Sequence, residues 1–154
     1  MSQSVLEVRE QALVRCVYTS AVKAEMSLAD VHTLLAVARK KNRELNVTGI
    51  LLFENGSFFQ VLEGTPEVVA RLFEKIRRDE RHQRVTKVIS EPIDGRDFGN
   101  WTMGLANIEP GYLKEIDGFN DFFQQGRCLT ELDEGRAKKL LHAFKSGRWR
   151  VASS

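Results

Sequence analysis

The sequence predicts an α+β fold in which two helices cover one face of a single β-sheet. Segments with a helical spacing of apolar residues alternate with short β-prone segments. An Asn-Gly pair joins the two central β-prone segments, as in a tight hairpin. The chain has 154 residues, of which 42% are hydrophobic and 29% charged, and this size and composition suit a single domain with one core.

The first strand and the first helix have clear local signals. Residues 13–18 are β-prone, and their side chains alternate between two faces. Ser27 and Asp30 form a variant capping box, with Asp in the position where Glu is usual. The helix that they open is predicted to run to about Lys41. Its apolar stripe comprises Leu28, Val31, Leu34, Leu35 and Ala38.

A hairpin and a second helix follow. Residues 47–53 and 57–62 are predicted strands, with the Asn-Gly pair as the turn between them. Thr65 and Pro66 are typical of a helix N-cap and of the first helical residue. The apolar stripe of the second helix comprises Val68, Val69, Leu72, Phe73 and Ile76.

Two further strands are predicted at 85–90 and at about 100–108, which completes the order β-α-β-β-α-β-β. This is the order of a ferredoxin-like sandwich with one added strand. Right-handed crossovers place both helices on one face and bring the first and third strands together at the centre of the sheet. The helices then flank a trough whose floor is formed by these two strands.

The segment after this predicted sandwich, 109–148, is predicted to be a helical extension on the other face of the sheet. Leu140, Leu141 and Phe144 give 130–145 an amphipathic pattern. The extension is interpreted either as a cap over an apolar sheet face or as a surface for a dimer or a partner, and the two are compatible. Its aromatic residues nearest to the sheet are expected to be Tyr112, Phe119, Phe122 and Phe123.

Composition argues against several classes of protein. The formal net charge of +2 is too small to indicate a nucleic-acid or membrane partner. The chain has neither an apolar run of roughly 18 residues nor a signal peptide, so a cytoplasmic protein is expected. Cys16 and Cys128 lack the spacing of metal ligands and are expected to be free thiols, with no metal bound.

Gln60 and Tyr18 are the strongest candidates for a functional pair. Gln60 lies on a strand predicted to be central, where an amide without hydrogen-bond partners costs roughly 1–3 kcal/mol. Tyr18 ends the neighbouring first strand, so its hydroxyl can meet the Gln60 amide. The alternative interpretations are an ordinary hydrogen-bonded glutamine and a tyrosine that only packs.

Other polar and large side chains border the predicted trough. Asn42 is expected to end the first helix, either as a C-cap or as a donor to a planar ligand. Arg81 and His82 follow the second helix, either in a solvated charged turn or as further donors. Trp101 and Met103 are expected to point inward from the last strand, where core packing is the ordinary role.

Three phrases of the sequence occur together in a familiar order. FFQVLEG at 58–64, DERH at 79–82 and W-x-M at 101–103 make the chain resemble the BLUF family of FAD-based blue-light sensors. The resemblance covers 13–108 in the order and spacing of the family, and Thr102 replaces the Ser that the family often has. Tyr18-Thr19-Ser20, Asn42 and Asn46-Val47-Thr48-Gly49-Ile50-Leu51 also match.

The resemblance implies a flavin held noncovalently between the two helices, FAD in cells and FMN or riboflavin as alternatives in recombinant protein. It implies that Tyr18 supplies an electron and then a proton to the excited flavin. It also implies that the Gln60 amide then rearranges and strengthens a hydrogen bond to flavin O4, which shifts the absorption to the red. The residues implied to hold the flavin are Tyr18, Asn42, Gln60, Arg81 and His82, and those implied to relay the signal are Trp101 and Met103.

The resemblance includes no cyclase or phosphodiesterase domain, so it implies a photoreceptor that is not itself an enzyme. The signal is expected to pass through the last strand and the C-terminal helices to a homo-oligomer partner or to a separate effector protein. The fold alone leaves two alternatives, an RNA-recognition-like module and an acylphosphatase-like small enzyme. The third strand lacks the basic residues that an RNA-recognition module would need. Residues 18–24 lack the anion-binding loop of an acylphosphatase-like enzyme.

Overall fold

Within the described residues, a sheet of five strands forms the centre of the fold. The structure is a computed structural model, and it describes residues 12–22, 27–54, 56–80, 82–99, 103–105 and 129–145. The strands are β1 (Leu13–Val22), β2 (Thr48–Glu54), β3 (Ser57–Gly64), β4 (His82–Ile93) and β5 (Gly104–Leu105). The helices are α1 (Leu28–Leu45), α2 (Pro66–Arg78) and α3 (Glu134–Lys145), and a 3-10 helix spans Leu129–Glu131.

The strand order β4-β1-β3-β2-β5 confirms the ferredoxin-like sandwich with one added strand. β3 is the central strand, and β1 lies between β3 and β4, antiparallel to both. β5 is the added strand and pairs in parallel with β2 at Ile50 and Leu51. Because β1 and β3 are adjacent, Tyr18 is the direct cross-strand partner of Gln60.

The capping box predicted for α1 is confirmed, but the predicted end of this helix is wrong. The Ser27 hydroxyl accepts a bond from the Asp30 amide at 3.1 Å, and the Asp30 carboxylate accepts one from the Ser27 amide at 3.0 Å. The helix continues past Lys41 to Leu45, and Asn46 ends it in the left-handed region with φ of 57°. Asn42 is therefore an interior helical residue and not a C-cap.

The second helix and the edge strand show two smaller differences from the prediction. Thr65 stands at the N-cap of α2 and Pro66 begins the helix, as predicted, but the Thr65 side chain makes no capping bond. β4 extends beyond the predicted 85–90 at both ends. Many of its residues are exposed and polar, so a hydropathy pattern does not reveal where the strand begins and ends. It contains a left-handed residue, Arg84, with φ of 53°.

Helices lie on both faces of the sheet, as predicted. α1 and α2 pack on the face that includes Cys16, Phe58 and Leu62. α3 covers the opposite face, where Phe144 meets Phe59 with ring centroids 6.0 Å apart. Leu140, Leu141 and Phe144 are buried as predicted, whereas the aromatic segment 112–124 lies outside the described residues.

A buried ion cluster joins β1, β3 and the loop after β4. Glu63 is fully buried at 0% exposure, and Arg15 beside it is 3% exposed. The Arg15 guanidinium also reaches Glu91 at 3.1 Å and contacts Asp97. The Glu63 carboxylate accepts hydrogen bonds from the Arg15 guanidinium at 3.1 Å, the Thr48 hydroxyl at 3.1 Å, and the backbone amides of Asp97 and Phe98 at 3.0 Å each.

The described residues contain neither a membrane-spanning helix nor a metal-binding cluster. None of the helices there combines the length and the apolar character that a membrane crossing needs. No group of three or more metal-ligating side chains occurs among the same residues.

Candidate functional site

A cavity of about 280 Å³ lies between α1 and α2, above β1 and β3. This is close to the lower limit of roughly 300 Å³ for ligand pockets. The cavity is the trough that the strand order predicts. Its apolar walls come from both helices and include Leu34, Leu35, Leu72 and Ile76.

The floor of the cavity contains the phenol of Tyr18. The residue is 1% exposed, and its ring meets the Phe73 ring edge-on at 5.7 Å. Burial raises the pKa of Tyr18 well above its usual value, and the nearby Cys16 and Asp79 raise it further. The hydroxyl is therefore protonated at neutral pH and can act as a hydrogen-bond donor.

Gln60 lies next to Tyr18 on the same floor and is 9% exposed. Its amide nitrogen donates to the sulfur of Met103 at 3.4 Å. A thioether sulfur is a weak acceptor, so this bond uses little of the hydrogen-bonding capacity of the amide. Among the described residues, this is the only partner of the Gln60 side chain, and the rest of the amide is free to meet a ligand in the cavity.

Met103 lies just before β5 and is fully buried at 0% exposure. It lines the cavity through its side chain and receives a second bond at its backbone. The Arg39 guanidinium donates from Nε to the Met103 carbonyl at 2.8 Å. This contact was not predictable from the sequence, because any residue type can supply a backbone acceptor.

Asn42 lines the cavity from α1 and is 2% exposed. Asn42 lies on the same face of α1 as Leu35 and Ala38, and all three residues line the cavity. Its backbone carbonyl accepts a bond from the Val47 amide at 2.8 Å.

The charged residues around the cavity were only partly identified from the sequence. Lys41 on α1 and Lys75 on α2 line it, and so does Asp79, which ends α2. Lys41 was detectable, since it falls on the same helical face as the apolar stripe. Lys75 and Asp79 belong to a charged region that is usually solvated.

The structure places four of the seven predicted site residues together. Tyr18, Asn42, Gln60 and Met103 line one cavity. Arg81 and Trp101 lie outside the described residues, and His82 begins β4 with its side chain outside them.

The chemistry of this cavity fits a flavin ring. Apolar side chains from both helices suit the two faces of a planar aromatic system, and the amides of Gln60 and Asn42 suit polar atoms at its edge.

Comparison with known proteins agrees with this arrangement. The family model for BLUF, sensors of blue light using FAD, matches residues 13–104. The subunit beta of a photoactivated adenylate cyclase of Euglena longa is 35% identical over 107 residues, which are 69% of this chain and 12% of that protein. The blue light- and temperature-regulated antirepressor BluF of Escherichia coli is 30% identical over 134 residues, 86% of this chain and 32% of that protein.

Two solved structures resemble the whole described fold. The ground state of BlsA has a TM-score of 0.72 and 28% identity, covering 92% of this chain and 91% of that one. The dark-state structure of BlrB, a BLUF protein, has a TM-score of 0.71 and 27% identity, covering 90% and 98%.

The fold, the cavity and these matches define a flavin-based photosensory domain. The chain belongs to the BLUF family, whose members sense blue light using FAD. It spans 12% of the length of the photoactivated cyclase subunit and 32% of the antirepressor, so the match concerns the sensory part of those proteins.

Proposed function

We propose that this chain binds one FAD noncovalently in the cavity between α1 and α2 and uses Tyr18 and Gln60 as a light-driven hydrogen-bond switch. The proposal rests on one observation: Tyr18 and Gln60 are cross-strand neighbours on the cavity floor, where the Tyr18 phenol is protonated and the Gln60 amide is held only by a weak bond to sulfur among the described residues. No other part of the described chain combines an enclosed space with two such groups.

Tyr18 is suited to give up an electron together with a proton. The raised pKa keeps its hydroxyl protonated, and the cross-strand register makes Tyr18 the direct neighbour of Gln60 on the floor of the cavity. A bound flavin supplies the absorption of blue light and an acceptor for the electron. The Tyr18 proton would follow the electron by way of the Gln60 amide, which would give up a proton from its nitrogen toward the ring as its oxygen accepts one, and the electron and proton would return to Tyr18 as the dark state recovers.

Gln60 is suited to change its orientation. In this structure its amide nitrogen donates to the Met103 sulfur, which is a weaker acceptor than an oxygen. Turning the amide exchanges its donor and its acceptor, and the cost is low because the N–H to sulfur contact is weak. A donor turned toward a ring carbonyl lowers the energy of the excited state and shifts the absorption to the red.

The other candidate residues are assigned roles around this pair. Asn42 is proposed to hold the polar edge of the ring from α1, and Arg81 with His82 to supply donors from the α2 side. Trp101 and Met103 are proposed to report the state of Gln60 to β5. The buried position of Asn42 and the Met103 contact support these assignments.

Flavin binding in this cavity is tested by filling it. The purified protein should carry one oxidised flavin per chain and release all of it on denaturation. Ala38→Trp places a large side chain in the cavity and should weaken flavin binding by about tenfold or more, equivalent to about 1.4 kcal/mol. The measurement is a fluorescence titration of apoprotein with FAD.

Ala36→Trp is the matched control, because Ala36 is exposed on the same helix and does not line the cavity. It should bind FAD as the wild type does. Equal affinity in both variants would place the flavin elsewhere, and a protein that takes up no FAD would reject the proposal.

The output is proposed to leave through contacts, to a second copy of the chain or to a separate effector, without an enzymatic activity of its own. The matched relatives include a photoactivated cyclase and an antirepressor, so similar sensory domains occur with different outputs. Within this chain, α3 packs directly on the sheet face behind Tyr18 and Gln60, through Val17, Phe59 and Val61.

Light should change the amide exchange of the C-terminal part of the chain. Because α3 rests on the reverse side of β1 and β3, movement near Gln60 reaches it through the sheet. Hydrogen exchange in dark and light should differ across 100–145. Gln60→Leu, with flavin bound, should show no such difference and serves as the control. If the flavin shows its normal red shift but exchange across 100–145 is identical in dark and light, α3 only covers the sheet face and does not transmit the signal.

A further inference from the structure

We propose that Arg39 is a positioning residue of the light switch, holding the backbone of Met103 so that the Met103 sulfur meets the Gln60 amide. The inference rests on the proposed function of Gln60. It assigns a role to a residue that neither lines the cavity nor belongs to the matched motifs.

The contact is short and directional. Arg39 Nε donates to the Met103 carbonyl at 2.8 Å, joining positions 64 residues apart in the sequence. A hydrogen bond from a charged donor is roughly twice as strong as a neutral one. Arg39 is half-buried, which limits competition from water for this bond.

Met103 needs such support. Its side chain has three rotatable bonds and a weak acceptor, so the Gln60 contact cannot fix its position alone. The next two residues form β5, which pairs with β2 only at Ile50 and Leu51. The Arg39 bond holds the Met103 backbone directly from α1.

The bond also connects the wall of the cavity to the last strand. Arg39 lies one turn after Leu35 and one turn before Asn42, and both of these line the cavity. A shift of α1 against the ring, or of Met103 away from Gln60, must stretch or break this bond. Arg39 thus favours the dark arrangement and guides the chain back to it.

The test compares Arg39→Ala and Arg39→Met with the wild type. Both variants remove the donor, and Arg39→Met keeps an apolar stem of similar length. In the dark, amide exchange across 103–105 should be at least about tenfold faster in both, as expected when a bond to a charged group is lost. After blue light, recovery of the dark spectrum should be at least about fivefold slower in both variants, because the Arg39 bond no longer holds the Met103 backbone in place. The flavin content and the size of the red shift should stay as in the wild type.

Lys40→Ala is the matched control, because Lys40 is the exposed neighbour of Arg39 on α1. It should leave exchange and recovery unchanged. Wild-type exchange at 103–105 in Arg39→Met would overturn the proposal, and so would faster exchange with unchanged recovery. The exchange comparison is valid without flavin, so a protein that fails to bind FAD would reject the proposed function but still test Arg39.

Discussion

Gln60→Leu should abolish the light-induced red shift while flavin remains bound. Leucine keeps the approximate volume of glutamine but removes both the donor and the acceptor, so no hydrogen bond to the ring can strengthen. The apolar cavity walls, which do not include Gln60, still hold the ring. The difference spectrum before and after blue light should be at least about tenfold smaller than in the wild type.

Gln83→Leu makes the same change on β4, where Gln83 is exposed and its amide donates to the Val22 carbonyl at 3.4 Å. This variant should shift normally. Tyr18→Phe provides a second variant at the site, because it removes the hydroxyl and keeps the ring against Phe73. It should also lack the normal shift. A reversible red shift in Gln60→Leu would contradict the hydrogen-bond switch.

The fold was predictable where the signals are local. The capping box of Ser27 and Asp30, the Asn-Gly hairpin and Pro66 at the start of α2 each act within a few residues, so the sequence contains the whole interaction. The end of α1 was predicted wrongly because Asn42 and Asn46 are both able to end a helix. Only the structure shows that the left-handed position belongs to Asn46.

The candidate site was predictable where topology determines it. Once the strand order is known, β1 must lie beside β3, and this brings Tyr18 opposite Gln60. Contacts between distant segments were not predictable. Arg39 meets a backbone carbonyl 64 residues away, and Arg15 meets a carboxylate 48 residues away, so neither pattern is visible in a window of sequence.

The Glu63 cluster explains why a charged residue occupies the interior of this sheet. The carboxylate accepts four hydrogen bonds, two of them from backbone amides in the loop that leads toward Met103. Glu63 also lies three residues after Gln60 on β3. The cluster therefore fixes this loop to the strand that carries the switch.

Glu63→Gln should destabilise the protein by about 3 kcal/mol, because it leaves the Arg15 guanidinium buried without its fully buried partner. The new amide group also turns a donor toward a site where four donors already converge. Urea unfolding of both proteins, followed by circular dichroism at equal flavin occupancy, measures the difference.

Glu67→Gln is the control, because Glu67 pairs with Arg71 on the exposed surface of α2 at 3.8 Å and its loss should cost at most about 0.5 kcal/mol. Equal stability of Glu63→Gln and Glu67→Gln would show that the buried cluster does not hold the loop to the sheet.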